Sequence, residues 1–129
     1  MKTVLLVDDD HICNFLMRKA LMHLGSATEI VSVLNGQQAI DLITDYSTNS
    51  RNLPEVIFLD INMPVMDGFA FLEVYNNLEL VDKQNVKIII VSSSDNPNDK
   101  LRAQALGVKD FLLKPVNEDK LRSVLKNEI

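Results

Sequence analysis

Five short apolar runs punctuate the sequence: Thr3 to Val7, Glu29 to Val33, Val56 to Leu59, Lys87 to Val91 and Asp110 to Leu113. Each has the length of a strand, and most are rich in Val, Ile or Phe. Their near-continuous apolar character, in place of polar–apolar alternation, predicts strands covered on both faces by helices. Segments with helical periodicity lie between them. Cys13, Leu16, Ala20 and Leu24 recur at the spacing of one helix face, and Gly25 ends that segment. A second segment follows Asn35-Gly36 with Ala39, Ile40 and Ile43, and a third follows Gly68 with Phe71, Leu72, Tyr75 and Leu78. A fourth is predicted from Pro97 to Leu106, stopping at Gly107. A fifth runs from Asn117 to the end of the sequence with Leu121, Val124 and Leu125 inward.

Strands alternating with helices predict the α/β class: an open, doubly wound parallel sheet whose right-handed crossovers place helices on both faces. Ligands of such sheets bind outside the carboxyl ends of the strands, so the residues just after each run are where chemistry is expected. Ser47 to Pro54 and Leu80 to Val86, the longest polar stretches, read as surface connections.

Composition narrows the picture. The 129 residues suit one domain, and 47% hydrophobic and 24% charged residues exclude disorder. A net charge of −5, with no dense Lys/Arg cluster, argues against direct nucleic-acid binding. Cys13 is the sole cysteine, so no intrachain disulfide can form, and Ile88 to Val91 is far too short to cross a bilayer. The N-terminal apolar stretch runs directly into three aspartates, unlike a signal peptide, so a cytoplasmic location without membrane insertion is expected.

The ends of the runs carry the chemistry. The first ends in Asp8-Asp9-Asp10, the third in Asp60, the fourth in Ser92-Ser93-Ser94 and the fifth in Lys114-Pro115. Converging carboxylates repel one another unless a cation sits among them. An all-oxygen donor set suits Mg²⁺, and no His/Cys cluster offers a zinc alternative. Mg²⁺ held by Asp9 and Asp60 would neutralise charge on an incoming phosphoryl group, leaving Asp60 to act as nucleophile. Lys114 offers an ammonium to one phosphoryl oxygen and Ser92 a hydroxyl to another. Asp10 reads equally well as the N-cap of the helix that follows.

Val7-Asp8-Asp9-Asp10, Leu59-Asp60-Ile61-Asn62-Met63-Pro64 with Asp67-Gly68, Val91-Ser92-Ser93, and Phe111-Leu112-Leu113-Lys114-Pro115 occur in the order found in response-regulator receiver domains. Over its whole length the sequence resembles that family, close to the stand-alone, chemotaxis-type (CheY-like) members of two-component signalling. The resemblance implies a single receiver domain over residues 1–129 and a flavodoxin-like five-stranded sheet of order 2-1-3-4-5 with five helices. It also implies a signalling switch that catalyses only its own phosphorylation and dephosphorylation. Asp60 would take a phosphoryl group from a histidine kinase or histidine phosphotransfer protein. Asp9 would ligate Mg²⁺ directly, Asp8 through water and Asn62 through its backbone carbonyl. Ser92 and Lys114 would contact the acyl phosphate, Phe111 would be the switch aromatic, and Pro115 would follow a cis peptide. Gly68 would let the third helix start close to the preceding turn. Ser92 stands where the family often has Thr, and Phe111 where it often has Tyr. The missing phenolic hydroxyl removes one hydrogen bond a partner could read. Asn62 and Ser94 occupy positions where the family tunes dephosphorylation.

With no output domain expected after the fifth helix, output would pass through protein–protein binding or a phosphorelay, as a monomer or a phosphorylation-dependent dimer. The alternative is a Mg²⁺-dependent aspartyl-phosphate phosphohydrolase, but Asn62 stands where such enzymes carry a second acid. A nucleotide or flavin binder would need a Gly-rich loop after the first strand, where this chain has carboxylates. His11 and His23 read as surface residues, and Cys13 as a small hydrophobe. Ile12, Phe15 and Met22 lie off the inward face of the first helix and suggest a docking surface for the donor's helices.

Overall fold

The computed structural model describes residues 3–25, 27 and 29–125. Its strands are β1 (Thr3–Val7), β2 (Glu29–Val33), β3 (Val56–Leu59), β4 (Lys87–Ser92) and β5 (Asp110–Leu113). Its helices are α1 (His11–Leu24), α2 (Gly36–Thr48), α3 (Gly68–Asn77), α4 (Pro97–Ala105) and α5 (Glu118–Leu125). Every strand pair is parallel, and the sheet order is β2-β1-β3-β4-β5. This is the expected α/β topology. Four runs coincide with their strands, and β4 continues one residue further, to Ser92. Ser47 and Thr48, expected in a loop, close α2, and Lys83–Asn85 form a short 3₁₀ turn. The predicted fifth helix extended past Leu125 into residues 126–129, which lie outside the described residues.

Successive strand side chains point to opposite faces, so a sheet covered on both sides must be apolar at every position. Val4, Leu6, Val56, Phe58, Ile89, Val91 and Leu112 pack with Met17 and Leu21 of α1 and with Leu121 and Leu125 of α5. The alternate positions Leu5, Val7, Ile57, Leu59 and Ile90 pack with Ala39, Ile40 and Ile43 of α2, Phe71, Leu72 and Tyr75 of α3, and Ala103 of α4. Leu5, Ile57, Leu59 and Ile90 are completely buried, and truncating any one to Ala would cost about 2–5 kcal/mol. This double-sided core fixes the strand ends and hence everything mounted on them.

The inward face of α1 differs from the predicted one. Asn14, Met17 and Leu21 are its buried residues, whereas Leu16 is 56% exposed and Cys13, Ala20 and Leu24 are only half-buried. Apolar residues occur on nearly every side of this helix, so periodicity alone does not fix its rotation. The deciding contact is polar: the Asn14 side-chain amide donates to the Asp8 carbonyl at 2.9 Å. Asp10 is the N-cap of α1, its Oδ1 accepting from the Ile12 and Cys13 amides, and Gly25 ends the helix at φ 67°.

Candidate functional site

The sheet ladder runs one residue past β1 and β3. The Asp8 amide donates to Val33 O at 3.1 Å, and the Asp60 amide donates to Val7 O at 2.9 Å. Adjacent strands therefore deliver Asp8 and Asp60 side by side at their carboxyl ends. Both are buried, while Asp9 is exposed. Carboxylate oxygens of Asp8, Asp9 and Asp60 all lie within 4.8 Å of one another. Asp8 Oδ1 accepts from the Asp10 amide and Asp60 Oδ1 from the Ile61 amide, each at 2.9 Å. The Oδ2 atoms of the two residues face Lys114, whose ammonium is 2.9 Å from Asp8 and 3.8 Å from Asp60.

Lys114 follows β5, two strands away from β3, and its amide donates to Ser92 O at 2.8 Å. Its long side chain spans the end of β4 to reach the carboxylates. The Lys114–Pro115 peptide is cis. Ser92 is fully buried at the end of β4, and its Oγ accepts from the Ser94 amide at 3.1 Å. Ser94 Oγ in turn donates to Asp99 Oδ2 at 2.9 Å and accepts from the Asn96 amide at 3.2 Å. Asn96 caps α4 and Asp99 stands three residues on, so the Ser94 hydroxyl is inserted into the reciprocal cap expected of that spacing. The loop carrying Ser92 is thus tied to the start of α4. Phe111 is half-buried, packed against the α2–α3–α4 side of the core and paired in register with Ile90.

The β3–α3 connection is equally constrained. A Cβ at Gly68 would lie 2.4 Å from Asp60 O and 2.9 Å from Ile61 Cα, so only glycine lets α3 start against the residue that follows β3. Asp67 caps α3 by accepting from the Ala70 amide at 2.8 Å. Val65 adopts φ 68° within a tight turn closed by the Met66 amide on Pro64 O at 2.8 Å. Asn62, at the start of this loop, is exposed.

Burial and the neighbouring Asp8 carboxylate push the Asp60 carboxyl up to about 6, against the opposing pull of Lys114 and the Ile61 amide. Burial alone would lower the Lys114 ammonium, but its hydrogen bond to Asp8 and the charge of Asp60 outweigh it and hold the pKa above the ordinary lysine value. Burial, then Asp8, pushes the half-buried Cys13 thiol up to about 12, so it is protonated and unreactive at neutral pH. Three carboxylates with a single ammonium leave net negative charge, and the all-oxygen donor set fits a hard divalent cation such as Mg²⁺. A cleft of about 530 Å³ lies at the amino ends of β3 and β4, lined by Arg51, Pro54, Glu55 and Val86 among others. It is remote from this chemistry.

A family model described as the response regulator receiver domain matches residues 4–126. The chain belongs to this family. Receivers are signalling domains of two-component systems that accept phosphoryl groups, generally with Mg²⁺, from histidine kinases or phosphotransfer proteins. A stretch of hybrid signal transduction histidine kinase L from Dictyostelium discoideum is 34% identical over 127 residues, covering 95% of this chain and 7% of that protein. The sensor histidine kinase CheAY of Helicobacter pylori is 29% identical over 129 residues, 98% of this chain and 15% of its own length. This receiver thus spans less than a sixth of either relative. Among solved structures, a two-component response regulator from Cytophaga hutchinsonii superposes with a TM-score of 0.87 at 30% identity, covering 98% of this chain and 96% of that one. Vibrio cholerae chemotaxis protein CheY4 superposes with a TM-score of 0.80 at 26% identity, covering 100% and 99%.

Four features of the receiver site did not follow from its sequence: the Asn14 bond to Asp8, the Ser94–Asp99 link, the preference of Lys114 for Asp8, and the folding back of Lys120 onto the carbonyls of Leu113 and Pro115. The Asn96–Asp99 spacing is the one sequence signal that could have drawn attention to the second.

Proposed function

We propose that this receiver is a Mg²⁺-dependent phospho-aspartate switch, with Asp60 taking a phosphoryl group from a phosphohistidine on a histidine kinase or histidine phosphotransfer protein. The observation that carries this reading is the meeting of Asp8, Asp9 and Asp60 oxygens within 4.8 Å, with the Lys114 ammonium 2.9 Å from Asp8. The two histidine kinases with which the chain shares a stretch support the donor class.

Asp9, Asp60 and the Asn62 backbone carbonyl would hold Mg²⁺, with Asp8 acting through water. The bound cation would neutralise charge on the phosphoryl oxygens. An Asp60 Oδ attacks phosphorus while the bond to the donor's imidazole nitrogen breaks, leaving an acyl phosphate on Asp60. Lys114 turns from Asp8 to one phosphoryl oxygen. The Ser92 hydroxyl turns to another and loosens its contact with the Ser94 amide. Because Ser94 is bound into the cap of α4, this movement reaches the α4–β5 surface, and Phe111 moves inward behind Ser92.

The exposed side of α1 supplies the surface for the donor. Ile12 and Met22 are 72% and 65% exposed, and Phe15 and Leu16 are each 56% exposed, on a helix that starts beside the acidic cluster. On this reading residues 1–129 act as one receiver unit in the cytoplasm. Output passes through a protein partner or a phosphorelay, as a monomer or a phosphorylation-dependent dimer, with no direct contact to nucleic acid. No helix among the described residues is long and apolar enough to cross a membrane.

The test is intact mass after incubation with acetyl phosphate, with and without Mg²⁺, on the wild type and Asp60→Asn. A labile single-phosphoryl adduct requiring both Mg²⁺ and Asp60 is expected. No adduct, together with no response to the beryllofluoride analogue, would leave a constitutive binding module instead.

A further inference from the structure

We propose that Lys120 is a positioning residue that holds Lys114 in place through the main-chain carbonyls on either side of it. The inference rests on the phosphotransfer reading, in which Lys114 meets the phosphoryl group. Lys120 Nζ donates to Leu113 O at 2.9 Å and to Pro115 O at 2.9 Å. One ammonium thus bridges the carbonyls of the two residues that flank Lys114.

Two features make this arrangement more than a surface lysine at rest. Lys120 lies in the first turn of α5, where a cation opposes the helix dipole, and an unconstrained lysine there would extend into water. It folds back instead, and its own amide is fixed by Asn117 Oδ1 at 2.9 Å, so the clamp is anchored at its base. The second feature is topological. β5 is an edge strand bonded to β4 alone, so the chain that follows it has a strand neighbour on one side only. On that side the Lys114 amide bonds Ser92 O at 2.8 Å. On the open side the Lys120 ammonium takes the place of the missing neighbour.

The consequence lies at the tip of the Lys114 side chain. Its ammonium stands 2.9 Å from Asp8 and 3.8 Å from Asp60, so a sub-ångström drift of the backbone decides whether it reaches the group on Asp60. Among the described residues Lys120 makes no hydrogen bond or ion pair with Asp8 or Asp60. It acts by limiting where the Lys114 backbone can go.

The experiment pairs two readouts on Lys120→Met, which keeps chain length and removes the ammonium, and on Lys120→Arg, which can again bridge two carbonyls. Single-turnover phosphorylation by acetyl phosphate at saturating Mg²⁺ is expected to slow about tenfold in Lys120→Met and to recover in Lys120→Arg. In a Lys114→Ala background, Lys120→Met is expected to have no further effect, because the group it positions is gone. An equal slowing in both backgrounds would overturn the inference. The second readout needs neither metal nor donor: the slowly exchanging Lys114 ammonium signal in proton–nitrogen NMR of the metal-free protein, expected in the wild type and Lys120→Arg and broadened away in Lys120→Met. A Lys114 signal that persists unchanged in Lys120→Met would also overturn it. If Lys114→Ala itself leaves the rate unaltered, the role given to Lys114 in phosphotransfer fails, and the NMR comparison still decides whether Lys120 positions it.

Discussion

The Lys114 ammonium lies 2.9 Å from Asp8 and 3.8 Å from Asp60, so its tight ion pair is with the residue that is not the proposed acceptor. Asp60 is left as a buried carboxylate beside Asp8, its pKa raised from 3.8 to about 6. Below pH 3.8 it is protonated in folded and unfolded chains alike and adds nothing to the pH dependence. Between 3.8 and about 6 the folded chain keeps a proton that the unfolded chain releases, so stability falls as pH rises; above that window the full penalty stays. Asp60→Asn removes the charge, retains an oxygen for the Ile61 amide and leaves Lys114 paired with Asp8. Without Mg²⁺, its melting temperature at pH 7.5 should exceed that of the wild type by an amount reflecting on the order of 1–3 kcal/mol. The gain should shrink toward zero by pH 3.5. Equal gains at both pH values would show that ionisation of Asp60 is not the cause.

Divalent cation should relieve the same repulsion. On the proposed reading Mg²⁺ would bind the folded chain and find no assembled site in the unfolded one, so a concentration of about 100 times Kd should stabilise the wild type by about 2.7 kcal/mol. Asp9 is exposed and belongs to the oxygen cluster, so Asp9→Asn can weaken the site without opening the core. Thermal unfolding across a Mg²⁺ titration should show the upward shift in the wild type and little of it in Asp9→Asn. Equal shifts in the two proteins would place the cation elsewhere.

The parts of this molecule legible in the sequence are those set by short-range rules. Strands buried on both faces must be continuous apolar runs, and Val56–Leu59 or Ile88–Val91 can hardly be anything else. Asp8, Asp9, Asp60, Ser92 and Lys114 stand at the ends of such runs, where the strand-end rule directs attention. The rotation of α1 was not legible, because Ile12, Phe15, Leu16, Met17 and Leu21 offer several faces of comparable apolarity. Choosing among them depends on Asn14 reaching a carbonyl six residues earlier, a contact that exists only once β1 and α1 have packed. The pairing of Lys114 with Asp8, and of Lys120 with two carbonyls, depends on side-chain reach across β4 and along a loop, which no local pattern encodes.

Gly68 gives a direct test of how α3 supports the proposed acceptor. A methyl group there would meet Asp60 O at 2.4 Å and Ile61 Cα at 2.9 Å, both main-chain atoms that cannot turn aside. The Gly68 amide also donates to Ile61 O at 2.8 Å, so the two segments cannot part without losing that bond. Gly68→Ala should cost about 1–3 kcal/mol in denaturant unfolding. It should also slow phosphorylation by acetyl phosphate even where the protein remains fully folded, because the shift falls on the Asp60 backbone. A normal rate in a destabilised Gly68→Ala protein would separate the seating of α3 from the chemistry.

Phe15 tests the proposed donor surface independently of the chemistry. Its ring is 56% exposed with the Lys19 ammonium 5.2 Å from its centroid, on the helix side that also carries Ile12, Leu16 and Met22. The buried residues of α1 are Asn14, Met17 and Leu21, so an aspartate at position 15 leaves the core and the carboxylate cluster alone. On the proposed reading a small phosphodonor would need only the cluster and Lys114, whereas a phosphohistidine protein would also cover α1. Phe15→Asp should therefore leave the acetyl phosphate rate within about twofold of wild type and slow transfer from a phosphorylated histidine phosphotransfer protein at least about tenfold, as expected when a desolvated aromatic anchor is replaced by a charge. A proportional loss with both donors would mean that the substitution acts on the site. No loss with either would mean that the donor docks on another face.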